Sequence, residues 1–182
     1  MARDTRERIL DTALTQFATR GVEAVAVTDL EDGAGLKAGS GSFYRHFRSK
    51  EDVLAAVVDR EVERAEQRRQ ARPAGDLAEE YAQALAALDA LRPLVAMLVR
   101  DGARLPHLDR VRAVLAEGGV QLDAGRLQER MDAGEVPARD AVAVAAVVQM
   151  ALVGHHLAER FFGGLGVDRD RFVAALADLV GR

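Results

Sequence analysis

Apolar residues recur at three- and four-residue steps along nearly the whole chain. Ile9, Ala13 and Phe17, with Leu10 and Leu14 beside them, form one helical stripe, and Gly21 follows as its stop. Thr28 is then placed to cap a short second helix whose first turn carries Asp29, Glu31 and Asp32, with Gly35 closing it in a left-handed conformation. A run of small residues leads into Phe-Tyr-Arg-His-Phe at 43–47. Ser49 and Asp52 mark the start of a long helix carrying Val53, Leu54, Val57, Val58 and Val62. Pro73 and Gly75 interrupt the pattern, and further helices are predicted over 77–91, 93–100, 108–131 (with a break at Gly118 and Gly119), 138–162 and 168–180. The stretch 138–162 is apolar almost all round its axis, as expected of a helix buried on several sides. No strand-like alternation occurs, so the fold class predicted is all-α, with about nine helices. The predicted division is a three-helix head at residues 1–48 and a helical body at 49–182.

The order of elements in the head is that of a helix-turn-helix, a short second helix followed by a glycine-containing turn and cations. From Lys37 to Lys50 there are four cations and no acid. A loosened backbone beside cations suits phosphate. Gly41 and its neighbours let the main chain approach DNA, and Ser40 or Ser42 caps the third helix, leaving N–H groups for phosphate. Phe43 and Phe47, four apart, face the small core, whereas Tyr44, Arg45 and His46 fall on other faces. The net charge of −4 confines any nucleic-acid role to this local patch.

Composition narrows the remaining classes. Cysteine is absent, which removes disulfides, thiol nucleophiles and thiolate metal sites and favours a reducing, cytoplasmic compartment. No apolar run is expected to reach the roughly 20 residues of a membrane span, and the charged N-terminus is no secretory signal. Gly39 and Gly41 superficially suggest a phosphate loop, but neither a third glycine nor a Gly-Lys-Ser/Thr ending follows. No nucleophile elbow or paired-histidine zinc motif is present, so no cofactor and no catalytic residue are expected. The alternatives are an all-helical enzyme using dispersed Asp and Glu, or a protein-binding adaptor; the adaptor leaves the basic segment unexplained.

Over Thr5 to Val58 the chain resembles the DNA-binding domain of the TetR (tetracycline-repressor) family. The resemblance rests on the apolar first helix, Phe17 and Gly21 at its end, the Thr-led second helix, Tyr44 with Phe47, and the Ser-Lys-Glu opening at 49–51. It implies a homodimer that binds a palindromic operator in double-stranded DNA, usually represses, and releases when a small-molecule effector enters the C-terminal half. It further implies phosphate contacts from Tyr44, Lys50 and Thr28, with Ser40 and Ser42 toward the groove and Arg45 and His46 at its edge. Between Gly35 and Tyr44 the chain is two residues longer than the common family pattern. With the extra residues at Lys37 and Ala38, Lys37 reaches DNA from the loop and the recognition helix runs from Ser40 to Phe47; alternatively that helix begins near Ala38.

In the C-terminal half the candidates are chemical. Gln149, the lone polar residue in its apolar stretch, suits either an effector pocket or a hydrogen bond across a dimer seam. Met97, Met131 and Met150 are pocket-lining or plain core residues, and Tyr81, Arg100, Arg104 and His107 complete the effector candidates. His155 and His156 point about 100° apart and do not share a metal, which leaves packing or interface roles. A dimer built on the last two helices would use Ala146, Leu152, His156, Phe172 and Leu176. Aromatics make up 4% of the chain, too few for a cage around a flat cation, so a modest, mainly aliphatic pocket is expected.

Overall fold

The computed structural model describes residues 4–37, 39, 41–73, 75–102, 119–164 and 166–182. Among them are eight α-helices and one short 3-10 turn, and no strand. The helices are α1 (Thr5–Arg20), α2 (Val27–Gly33), α3 (Lys50–Gln70), α4 (Leu77–Ala90), α5 (Arg92–Asp101), α6 (Gly119–Asp132), α7 (Ala141–Phe162) and α8 (Arg169–Gly181), with the 3-10 turn at Phe43–Arg45. Arg104, His107 and the expected helix start at Leu108 lie outside the described residues, as do Ala38 and Ser40.

The described residues form two compact units, one from residues up to 64 with 91–102, the other from 65–90 with 119–182. The division therefore falls within α3, sixteen positions beyond the expected limit at residue 48, and it assigns α5 to the first unit. In that unit α1 packs on α2 and α5. Its stripe of Ile9, Leu10, Ala13 and Phe17 is fully buried with Leu30, Phe43, Val53, Val57 and Val58. Each of the larger side chains contributes about 1.5–3 kcal/mol by leaving water. The end of α1 is held from α5: Arg100 donates to the Ala18 carbonyl at 3.3 Å, and the Asp101 carboxylate accepts the Val22 N–H at 3.5 Å.

In the second unit α6 packs on α7, and α4 packs on α7 and α8. Tyr81, Leu85, Leu127, Met131, Ala145, Val148, Leu152, Val173 and Leu176 belong to its core. The apolar α7 is long enough and apolar enough to cross a membrane, which corrects the expectation that no stretch qualifies. One side of it, with Ala141, Ala145, Val148 and Leu152, supplies this core, while Asp140 caps its first turn by accepting the Ala143 N–H at 3.0 Å.

Candidate nucleic-acid interface and effector cleft

The second helix starts one residue earlier than its threonine suggests. Val27 opens α2, and the capping side chain is that of Asp29, whose carboxylate accepts the Ala26 N–H at 2.9 Å and pairs with Arg20 at 3.0 Å. Thr28 is thus corrected from cap to exposed first-turn residue. The Ala26 N–H, with Arg20 adding its charge and a hydrogen bond, holds the Asp29 carboxyl below the usual range.

Glu31, expected as a helix-start acid, is 2% exposed and points inward. Its carboxylate accepts the Gly39 N–H at 2.7 Å and the Phe43 N–H at 3.4 Å. Charge-assisted bonds of this kind contribute about 1.5–3 kcal/mol. They gather the loop between α2 and the basic cluster around one acceptor. Gly39 and Gly41 lie at φ 73° and 71°, a region that costs a residue with a Cβ about 1–2 kcal/mol. This path corrects the expected recognition helix over Ser40 to Phe47. The described residues form only a 3-10 turn at Phe43–Arg45, because the Phe43 N–H goes to Glu31 and the glycines are not helical. Ser42 precedes the turn in helical conformation without capping it through its side chain.

The turn still separates an inner from an outer face. Phe43 and Phe47 are buried, 0% and 3% exposed, with ring centroids 6.0 Å apart, and Arg6 lies 5.1 Å over the Phe47 ring. Tyr44 stands 62% exposed with its ring edge-on to Phe43 at 5.3 Å. Arg45, His46, Arg48, Lys37 and Gly41 are also exposed or partly so, and Ser42 is half-buried. The turn therefore presents an aromatic ring, an imidazole and guanidinium groups outward, over an apolar base.

Lys50, expected to meet phosphate, makes contacts within the protein. Its ammonium donates to the carbonyls of Val22, Val25 and Glu23 at 2.8, 3.0 and 3.4 Å, tying the start of α3 to the α1–α2 connection. The start of α3 is closed by Ser49, whose hydroxyl accepts the Asp52 N–H at 3.2 Å, and by Asp52, whose carboxylate accepts the Arg48 N–H at 3.0 Å.

In the second unit a small cleft, about 30 Å³ in cavity volume, is partly open to solvent. Three helices supply its walls at one-turn spacing: Leu77, Glu80, Tyr81 and Ala84 on α4, Asp123, Arg126, Leu127 and Arg130 on α6, and Ala145, Val148 and Leu152 on α7, with Arg72 alongside. Arg72 pairs with Asp123 at 2.6 Å, and Arg130 with Glu80 at 2.8 Å and Glu135 at 2.6 Å. Arg130 also donates to the Gly75 carbonyl. Arg126 donates to the Arg69 and Arg72 carbonyls at 3.1 and 3.3 Å. The Arg72 side chain is 10% exposed and its Nε–H is buried without an acceptor, an unmet donor that typically costs about 1–3 kcal/mol. Burial, with the Glu80 charge adding, pushes the Tyr81 hydroxyl up to about 12, so it remains a donor at neutral pH.

Of the expected effector residues, Tyr81 lines this cleft, and Met131 and Gln149 are buried in the same unit without lining it. Met97 and Arg100 lie on α5 in the first unit and are not among the residues that line this cleft, Met97 fully buried and Arg100 on the end of α1. Of the expected interface residues, Leu152 and His156 on α7 and Leu176 on α8 are buried inside the protomer, on faces turned toward the packed helices of their own unit. Ala146 and Phe172 are half-buried, Phe172 stacking on His155 at 4.2 Å. His156 Nδ1 lies 3.4 Å from Asp89, which Arg169 also pairs at 2.8 Å.

Residues 9–57 match the family model described as bacterial regulatory proteins, tetR family. The chain is 45% identical over 53 residues to the HTH-type transcriptional repressor KstR2 of Mycolicibacterium smegmatis, an alignment that takes in 29% of the chain and 25% of that protein. The match thus spans a quarter of the relative's length. The fold extends further. The reduced form of Escherichia coli NemR superimposes with a TM-score of 0.78 at 20% identity, covering 97% of this chain and 98% of that one. The ketosteroid transcriptional regulator KstR2 of Mycobacterium tuberculosis gives 0.70 at 19% identity, covering 100% and 97%.

Proposed function

We propose that the chain, whose residues 9–57 belong to the TetR family of bacterial regulatory proteins, is a DNA-binding transcriptional regulator that acts in the cytoplasm as a ligand-responsive repressor. It binds a palindromic operator as a homodimer and is released when a small molecule occupies the second unit. The observation that carries the reading is the 3-10 turn with Tyr44, Arg45 and His46 outward, its backbone gathered by the buried Glu31. Charge and aromatic rings on a backbone held in one conformation suit phosphate and groove contacts. Thr28, Lys37, Gly41 and Ser42 are the neighbouring contacts on this reading, and Lys50 adds charge while holding the α1–α2 connection.

The second copy docks on the outward face of α7. Val147, Met150 and Phe161 are 67%, 59% and 50% exposed and share one stripe with Gly154. This face replaces Leu152, His156 and Leu176 as the centre of the interface and keeps Ala146 at its margin. Two heads joined in this way read two half-sites, as an inverted repeat requires.

The test is duplex-DNA binding by fluorescence anisotropy over a range of salt. Two heads that each neutralise several phosphates predict a log–log slope of about −6 to −10. A salt-independent signal, or no retention on duplex DNA at low salt, removes the DNA-binding role and leaves the enzyme or adaptor alternative.

A further inference from the structure

We propose that the cleft between α4, α6 and α7 takes a small amphipathic anion, a carboxylate on a short aliphatic body. The proposal rests on the reading of the second unit as the effector-binding one and names the chemistry of its ligand. The body of such a ligand meets Leu77, Ala84, Leu127, Ala145, Val148 and Leu152. Its head meets guanidinium groups that are incompletely matched by acids among the described residues. Arg130 is answered by Glu80 and Glu135, but Arg126 donates to two neutral carbonyls, and Arg72 has the Asp123 carboxylate and a buried Nε–H with no acceptor.

Arg69 lies within electrostatic reach of Asp123, Arg72 and Arg126, so three guanidinium groups cluster near the carboxylate of Asp123, which pairs with Arg72. An incoming carboxylate adds an acceptor beside the Arg72 guanidinium and lowers the repulsion among these cations. It is the ligand group that guanidinium geometry fits best. A protonated Tyr81 hydroxyl offers a further donor from α4.

The competing chemistries fit less well. A cation would face Arg72, Arg126 and Arg130 with Tyr81 as the single aromatic ring among the lining residues, and it would have to take Glu80 or Asp123 from an arginine. A neutral alcohol leaves the excess positive charge unanswered. The cleft as a whole has a cavity volume of about 30 Å³ and is partly open to solvent, which keeps the ligand small and leaves the end of its body at the mouth.

The experiment is a calorimetric titration of the full chain with octanoate, 1-octanol and octylamine, which share one aliphatic body, with operator anisotropy followed in parallel. Octanoate is expected to bind at least ten-fold more tightly than octanol, and octylamine more weakly than octanol. Arg72→Met should reduce octanoate to the level of octanol. Asp123→Asn should tighten octanoate several-fold, because the acceptor competing for Arg72 loses its negative charge. If Arg72→Met does not fold, as judged by helicity, the Asp123→Asn variant and the three-ligand comparison on the unaltered protein decide. Equal affinity for the three ligands, preference for octylamine, or an octanoate affinity unmoved by Arg72→Met overturns the assignment. Octanoate binding with the expected pattern but no change in operator affinity upholds the anion site and removes the effector reading of the unit instead.

Discussion

The two units use their charged side chains differently. In the first, the defining groups bind main chain: Glu31 holds the Gly39 and Phe43 N–H groups, Lys50 holds three carbonyls, and Asp29 and Asp52 hold N–H groups at helix starts. In the second, Arg126 and Arg130 also reach carbonyls, but the charged groups at the cleft are paired side chain to side chain, Arg72 with Asp123 and Arg130 with Glu80. A side chain that holds backbone has a partner that cannot leave, so it sets a shape. A side chain that holds another side chain can exchange it for a ligand group. The first arrangement suits a surface that must present fixed contacts to DNA, the second a site that must respond to what enters.

The largest loss is expected at Glu31. Glu31→Ala leaves two N–H groups without their acceptor and should lower stability by about 2–5 kcal/mol in urea melts, with operator binding lost. Glu31→Gln, which keeps one acceptor oxygen, should lie between. A Glu31→Ala variant as stable as the parent would remove the acid from the architecture of the recognition turn.

Next comes rescue. Arg130→Met strands the buried Glu80 and should cost about 3 kcal/mol, most of it recovered in the double variant Arg130→Met with Glu80→Gln. Lys50→Ala should cost about 1.5–3 kcal/mol, and no single side-chain change at Val22, Glu23 or Val25 should recover it, because the partners are carbonyls. Rescue in the head, or its failure in the body, contradicts the distinction.

A smaller effect is expected at Gly39. At φ 73°, with nothing within 4 Å of where a Cβ would stand, Gly39→Ala should cost about 1 kcal/mol from backbone conformation alone. It should therefore weaken DNA binding more than it alters the melting temperature. The smallest is at Asp29, whose carboxyl is depressed mainly by the Ala26 N–H. Its contribution is present above the ordinary carboxylate range and is lost as pH falls through the lower folded value. Thermal melts of Asp29→Asn and the parent should converge below that point and diverge above it.

Much of the head is legible in the sequence because its signals are local. The α1 stripe, the Phe43–Phe47 spacing and the glycines near the basic cluster each follow from neighbouring residues. Glu31 escapes such a reading because an acid near a helix start ordinarily faces solvent. Its position between Leu30 and Ala34, on the buried face of α2, is the available signal. The body is harder to read. Met97 and Arg100 belong to α5, whose packing on α1 joins segments about eighty positions apart, a relation that no periodicity carries. On α7 the apolar residues run all round the axis, so the pattern predicts a buried helix without saying which face meets the protomer's core and which stays open. The cleft's arginines also come from separate segments, Arg72 after α3 and Arg126 and Arg130 on α6.

If this chain reads DNA through two copies of one rigid, cationic turn, the sequences it selects must carry the two-fold symmetry of the dimer. The decisive experiment is selection of bound sequences from random duplex DNA, carried out with the full chain and with Val147→Arg. The parent should enrich an inverted repeat, and the variant, monomeric by ultracentrifugation, should lose that enrichment. A parent that enriches no sequence, or a variant that remains dimeric and selects the same repeat, would show that the turn or the α7 face does not have the role assigned to it.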